Sequence, residues 1–204
     1  MKKVGIFSGT FDPVHNGHLA FARTALEQCQ LDRVYFLVEP RPRRKQGVKA
    51  FEHRCNMVQL AIKDDPNLGN IVLEQARFTP HETLPVLQAR FKNAELYLLM
   101  GDDMLAHILS WPHVDELLSS ARFVVAKRQW EVAATKRQLK LIAEVKNITL
   151  NYDFIAPAED SVASSKIRYG LRHGHQPKGL PAAVAEYIEA NGLYSPADDD
   201  ASES

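Results

Sequence analysis

The stretch Val4-Gly5-Ile6-Phe7-Ser8-Gly9-Thr10-Phe11-Asp12-Pro13-Val14-His15-Asn16-Gly17-His18 decides how the rest of the chain is read. Val4 to Phe7 is a short apolar run that predicts a buried strand. Beyond the string, Leu19, Ala22, Leu26 and Cys29 return every three or four residues and predict a helix. The small and polar residues between them therefore sit at a strand-to-helix junction. Gly9 lets backbone amides approach an anion, Thr10 offers a hydroxyl, and the helix start adds unpaired N–H groups and a partial positive charge. His15 and His18 are three apart, so a helix beginning between or just before them turns both rings to one side. The plainer alternative makes Asp12 and Asn16 turn and cap residues, Pro13 a stiffener and the histidines ordinary exposed side chains. One histidine alone would fit that alternative; the whole string at one junction fits phosphate binding better.

Further apolar runs of strand length lie at Val34 to Val38, Leu96 to Met100 and Phe123 to Ala126, with weaker ones at Ile71 to Leu73 and Ile148 to Leu150. Helical spacing recurs between them, as at Met57, Leu60 and Ala61. Strands alternating with helices predict an α/β fold with a doubly wound, mostly parallel sheet and helices on both faces. Ligands of such sheets bind at the carboxyl ends of the strands. With 204 residues and 45% hydrophobic content the chain can bury one sizeable core. We expect one domain over residues 1–196 and an acidic, disordered tail over 197–204. Lys plus Arg equals Asp plus Glu at 25 each, so no overall charge attracts nucleic acid or an acidic membrane surface. The first apolar run is too short for a secretion signal, and no run approaches the roughly 20 apolar residues of a membrane span. Cys29 and Cys55 lack metal-ligand spacing and read as reduced core thiols. A cytoplasmic protein is expected.

The opening string resembles the GGTFDPxHxGH signature of the bacterial nicotinate-mononucleotide adenylyltransferases, in the HxGH nucleotidyltransferase superfamily, with Ser8 in place of one glycine. The likeness continues in order through Phe51 to Ile62, Gly101 to Trp111, Val162 to Arg168 and Leu180 to Tyr194. It implies a Rossmann-like fold, in agreement with the alternation of strands and helices. Val162 to Arg168 resembles the motif ISSTxIR, with Ala163 for the first serine, which implies that Ser164, Ser165 and Arg168 hold ATP phosphates at a helix start. Gly101-Asp102-Asp103 resembles GxD, whose aspartate places the nucleotide; Asp103 is favoured over Asp102. Trp111 matches a tryptophan that stacks on the pyridine ring, and Arg128 an arginine near the nucleotide. Pro42-Arg43-Arg44-Lys45 stands where the family has PPHK, so Arg44 and Lys45 are candidates for the acceptor's phosphate. Arg54, beside His53 and before Met57, has a counterpart that can be structural. Phe78 to Leu84 corresponds to SYTxxTL: Thr83 and Leu84 fit, whereas Pro80 removes a hydroxyl and an N–H next to the pyridine pocket.

The resemblance thus implies transfer of the adenylyl group of ATP to nicotinate mononucleotide, with the nicotinamide form as a second acceptor, and release of pyrophosphate in NAD biosynthesis. His15, His18 and Arg168 are the catalytic candidates. Ser8, Gly9, Thr10, Phe11, Gly101, Asp103, Ser164 and Ser165 join them around ATP, and Arg44, Lys45, Thr83, Trp111 and Arg128 line the acceptor. Mg²⁺ is expected to arrive on the phosphates, without a protein cage. Ser8, Arg44, Pro80 and Ala163 keep two alternatives open. One is an enzyme acting on another phosphomonoester such as phosphopantetheine, or using CTP; the other is a nucleotide-binding homologue without turnover.

Overall fold

The computed structural model describes residues 1–42, 47–105, 107–126, 132–156, 162–175 and 178–195. Six strands, β1 (Lys2–Gly9), β2 (Arg33–Val38), β3 (Leu68–Ile71), β4 (Ala94–Gly101), β5 (Arg122–Ala126) and β6 (Tyr152–Ile155), form one sheet in the order β3-β2-β1-β4-β5-β6. Every neighbouring pair is parallel. The chain winds outward from β1 to β3, crosses the sheet to β4, and winds outward the other way. β1 and β4 flank the switch point, where loops diverge and leave a crevice above the strand ends. Ser8, Gly9 and Gly101 stand there by the ladder alone.

Both faces of the sheet are covered, which explains why its strands read as nearly unbroken apolar runs. Phe7, Phe36, Leu99 and Val124 point to one face with α1 (Asn16–Gln28), α2 (Phe51–Ile62) and, through Val184 and Ile188, the helix Ala182–Ala190. Ile6, Leu37, Leu98 and Val125 point to the other, where α3 (Pro80–Arg90), α4 (Asp102–Leu105), α5 (Val114–Ser120) and α6 (Val132–Lys146) pack. The remaining helices are α7 (Ser164–Arg172) and α8, the Ala182–Ala190 helix just named.

The strong strand and helix expectations hold, with differences at the weaker ones. Ile148 to Leu150 is not a strand: the Ile148 N–H donates to Ala143 O at 3.0 Å and finishes α6, so pairing with β5 starts only where Phe123 N meets Asn151 O at 2.9 Å. The run at Ile71 to Leu73 is shifted, because β3 pairs with β2 from Leu68 to Ile71 and Val72 is already exposed. In α2 the fully buried stripe is Arg54, Cys55, Met57, Val58 and Ile62, while Leu60 and Ala61 are half-buried. No helix of the described residues is long and apolar enough to cross a membrane. The segment 197–204 lies outside the described residues.

Candidate active site

The turn between β1 and α1 is built from the inside. Phe11 adopts φ +51 and sends its ring into the core at 3% exposure, against Phe7 and Phe36. Expected among the ATP contacts, Phe11 anchors the turn with its side chain from the core side. Gly9 is small for the same reason, since a Cβ there would lie 2.9 Å from the Phe11 ring. The turn needs glycine to admit a neighbouring aromatic, a requirement that phosphate approach alone does not express.

His15 is the N-cap of α1 in an extended conformation and is 1% exposed, so the picture of two ordinary surface histidines does not apply. Its ring stacks on His18 with centroids 3.6 Å apart and planes 26° from parallel. The His15 N–H donates to His18 Nδ1 at 3.2 Å. A ring nitrogen that accepts cannot carry the proton, so neutral His18 holds it on Nε2. The Asn16 N–H donates to Gly179 O at 2.8 Å, and Gly179, at φ +91 and with a Cβ position 2.8 Å from Val162, tolerates no side chain.

Four side chains from elsewhere, Arg54, Tyr194, Arg168 and Ser164, lock this turn. Arg54, 1% exposed, donates from Nη1 to Thr10 O and Glu39 O at 2.8 Å each, from Nε to Lys49 O at 2.9 Å and from Nη2 to Pro40 O at 3.0 Å. It thus pins the chain after β1 to the chain after β2 and is structural. Burial pulls its guanidinium below the ordinary value, a shift opposed by the charge of Asp12. Asp12 is itself buried; Oδ1 accepts from Tyr194 Oη at 2.6 Å and from Lys49 N at 3.3 Å. Burial, then the Asp12 charge, pushes the Tyr194 hydroxyl upward.

Arg168 lies on α7. Its Nη1 donates to Asp12 O at 2.7 Å and stands 3.8 Å from Asp12 Oδ2, while Ser164 Oγ donates to Pro13 O at 3.0 Å. The two motifs that the sequence separates by some 150 positions therefore meet, α7 resting its first turn on the β1–α1 turn. Ala163 is the N-cap of α7 and, lacking a hydroxyl, makes no side-chain cap bond; Ser165 is exposed beside it.

At the end of β4, Gly101 and Asp102 are buried, and Asp103 is half-buried with a buried Oδ1 that has no hydrogen-bond partner among the described residues. A carboxylate oxygen shielded from water and left without a donor suits a ligand hydroxyl or N–H. Trp111 is half-buried against the α5 side of the core and closes the short turn Ile108–Ser110 through its N–H to Ile108 O at 3.0 Å. Thr83 is 1% exposed: its Oγ1 accepts from Thr79 N at 2.9 Å and donates to Arg77 O at 3.3 Å, so the hydroxyl shapes the segment's own backbone. Expected beside the acceptor, Thr83 thus has its hydroxyl engaged with its own segment. Pro80 is the first residue of α3, a position whose N–H has no helical acceptor, so the missing donor leaves the helix intact. Arg44, Lys45 and Arg128 lie outside the described residues.

Reading the sequence did not find Asp12, Tyr194 or Glu39 as site-building groups. Glu39 Oε1 accepts from Ser8 Oγ and from Phe78 N, each at 3.2 Å, and so ties the first turn to the segment that leads to Thr83. The signal for it was Ser8 itself, a hydroxyl in place of a glycine.

A parallel sheet whose switch point carries a histidine pair, a helix start and a clasping second helix defines a nucleotide-binding protein of the nucleotidyltransferase kind. The family model described as cytidylyltransferase-like matches residues 6–169. The nicotinate-nucleotide adenylyltransferase of Bacillus subtilis is 35% identical over 200 residues, covering 95% of this chain and 99% of that protein. The nicotinic acid mononucleotide adenylyltransferase of Plasmodium falciparum complexed with NaAD shares the fold with TM-score 0.78 at 18% identity, over 95% of this chain and 98% of that one. The same enzyme complexed with APC gives 0.76 over the same shares. The chain belongs to the nicotinate-nucleotide adenylyltransferases, within the cytidylyltransferase-like family of nucleotidyltransferase enzymes.

Proposed function

We propose that this protein transfers the adenylyl group of ATP to nicotinate mononucleotide, forming the dinucleotide and pyrophosphate in NAD biosynthesis. The observation that carries the proposal is the clasp of α7 on the β1–α1 turn through Ser164 and Arg168, which gathers hydroxyls, a guanidinium and two helix starts around the histidine pair. An oxygen of the acceptor phosphate attacks the α-phosphorus in line as the pyrophosphate oxygen leaves, and no covalent enzyme intermediate is needed. Positioning and charge stabilisation then supply the catalysis. His15 and His18 stabilise charge at the reacting phosphates, Arg168 turns its remaining donors to them, Thr10, Ser164 and Ser165 add polar contacts, and Asp103 receives a donor of the nucleotide. Trp111 flanks the pyridine ring, with Arg44, Lys45 and Arg128 as the cationic partners of the acceptor side.

The donors at the turn address phosphate oxygens. A magnesium ion carried on the triphosphate would supply charge neutralisation there, while the protein's donors hold phosphate oxygens. Residues 1–196 act as one catalytic unit, a reading supported by Val184 and Ile188 of α8 lying in the same core as α1 and α2. The free, buried Cys29 and Cys55 support a cytoplasmic site of action.

The test is pyrophosphate release with nicotinate mononucleotide, nicotinamide mononucleotide, phosphopantetheine and no acceptor. We expect kcat/KM for the nicotinate form to exceed that for the nicotinamide form by about two orders of magnitude or more, since donors placed for a carboxylate are left unpaired by the amide's NH₂. A ratio near unity rejects the selectivity, and turnover only with another acceptor rejects the assignment.

A further inference from the structure

A second cluster of ligand-bearing side chains borders the acceptor side, with His81 two residues from Thr83 and His113 two residues from Trp111. His81 is the second residue of α3, His113 is the N-cap of α5, and Glu116 is the third residue of α5. All three are exposed. The imidazoles stack with centroids 4.6 Å apart and planes 23° from parallel. Both turn Nδ1 to the same carboxylate, His81 to Oε2 at 3.7 Å and His113 to Oε1 at 3.3 Å.

The geometry points to a surface site for a divalent transition-metal ion of the zinc type, held by His81, His113 and Glu116. At metal–ligand bonds of about 2.0–2.2 Å, the edges of a tetrahedron of ligands measure about 3.3–3.6 Å, and the 3.3 Å from His113 Nδ1 to Glu116 Oε1 is already such an edge. One ligand atom from each of the three residues lies within 4.8 Å of the others, so the set closes with small side-chain rotations. Two neutral imidazoles and one carboxylate suit zinc-like ions better than magnesium or calcium, which prefer oxygen ligands. Three protein ligands leave a fourth position for solvent. The two helix starts would repel a cation, but Glu82, Asp115 and Glu116 in their first turns oppose that field. His113 is held at φ +57, a conformation uncommon for side chains other than Asn, Asp and His, and this directs its ring toward α3. A bound ion would cross-link α3 to α5, two elements otherwise joined through the core. The inference is independent of the adenylyl-transfer reading.

The test is calorimetric titration of the chelator-stripped full chain with Zn²⁺ at neutral pH without nucleotides, alongside Co²⁺ absorption. We expect one equivalent bound at this site, a thermal midpoint raised by Zn²⁺, and Co²⁺ bands of a four-coordinate nitrogen and oxygen site. His81→Ala, His113→Asn and Glu116→Gln should each weaken binding by about tenfold or more, since removing a direct ligand costs at least as much as removing an outer partner. Asn keeps the left-handed backbone at position 113, and metal-free midpoints check folding in each variant. Absence of binding by the unmodified chain, or affinity unchanged in all three variants, overturns the site; the latter result would place the ion on other ligands.

Discussion

The β1–α1 turn and the segments around Thr83 and Trp111 stand at the same end of the sheet and are held in opposite ways. The turn is fixed by side chains distant in sequence: Arg54 reaches Thr10 across 44 positions, Arg168 reaches Asp12 across 156 and Tyr194 reaches Asp12 across 182. Thr83 bonds to Thr79 and Arg77 within six positions, and Ser110 bonds to His107 three positions back. A turn secured by the whole fold cannot change without disturbing the core. A helix start whose Thr83 bonds to its own neighbours can accept Pro80 and keep its helix. The phosphate side is thus constrained by global stability, and the acceptor side by local geometry.

The comparison breaks most visibly at Arg54. Arg54→Ala should destabilise the protein by about 3–5 kcal/mol, because it removes a buried guanidinium and leaves four carbonyls without donors. Urea denaturation measures this, and a loss below about 1 kcal/mol would mean that the turn is held elsewhere. Next come the histidines. His15→Ala and His18→Ala should each lower turnover by roughly a hundredfold or more, as donors directed at developing phosphate charge are removed. Wild-type kinetics in variants with an unchanged thermal midpoint would remove the pair from the chemistry.

Tyr194→Phe sharpens the comparison on the stability side. It withdraws a hydrogen bond to a buried carboxylate and should cost about 2 kcal/mol. It also has a pH signature. The hydroxyl is pushed above its ordinary value of 10.0, mainly by burial, so the folded state keeps a proton that the unfolded state releases. The stabilisation is complete below pH 10 and is lost as pH rises above it toward the folded value. Tyr97, pushed up to about 12, adds a further decline between pH 10 and 12 in both proteins. Stability plotted against pH should therefore fall more steeply above pH 10 in the wild type than in Tyr194→Phe; parallel curves would show that the phenol is not desolvated. The smallest effect is expected at Pro80→Thr. At the first position of α3 it should change stability by less than about 1 kcal/mol, leave ATP use unaltered, and act only on the acceptor's KM. A parallel fall in kcat would join the two regions that the comparison separates.

The sheet was legible because each buried strand carries its own apolar run and each covering helix its own periodic stripe. Ile148 misled because its side chain packs on the core from a turn, and periodicity cannot tell whether an N–H belongs to a strand ladder or to a helix end. The candidate site was legible as motifs around His15, Asp103 and Ser164. Its supports were not: no local pattern announces that Tyr194 pairs with Asp12 or that Arg54 bonds four carbonyls, because those contacts exist only after the chain has closed. Gly9 carried a double meaning, and only the position of the Phe11 ring reveals the second.

The bond from Tyr194 to Asp12 also sets an order of events at the ribosome. Residues 12 to 18 are made early, and by the time β6 is complete the sheet has all its strands, yet the carboxylate at the root of the turn still lacks its phenol. A polypeptide synthesised from its amino end acquires that partner only some 180 residues later. A nascent chain halted before α8 would hold the outline of the nucleotide crevice around an Asp12 that still lacks its phenol. In this molecule the β1–α1 turn, begun directly after the first strand, is completed only once Tyr194 has been made.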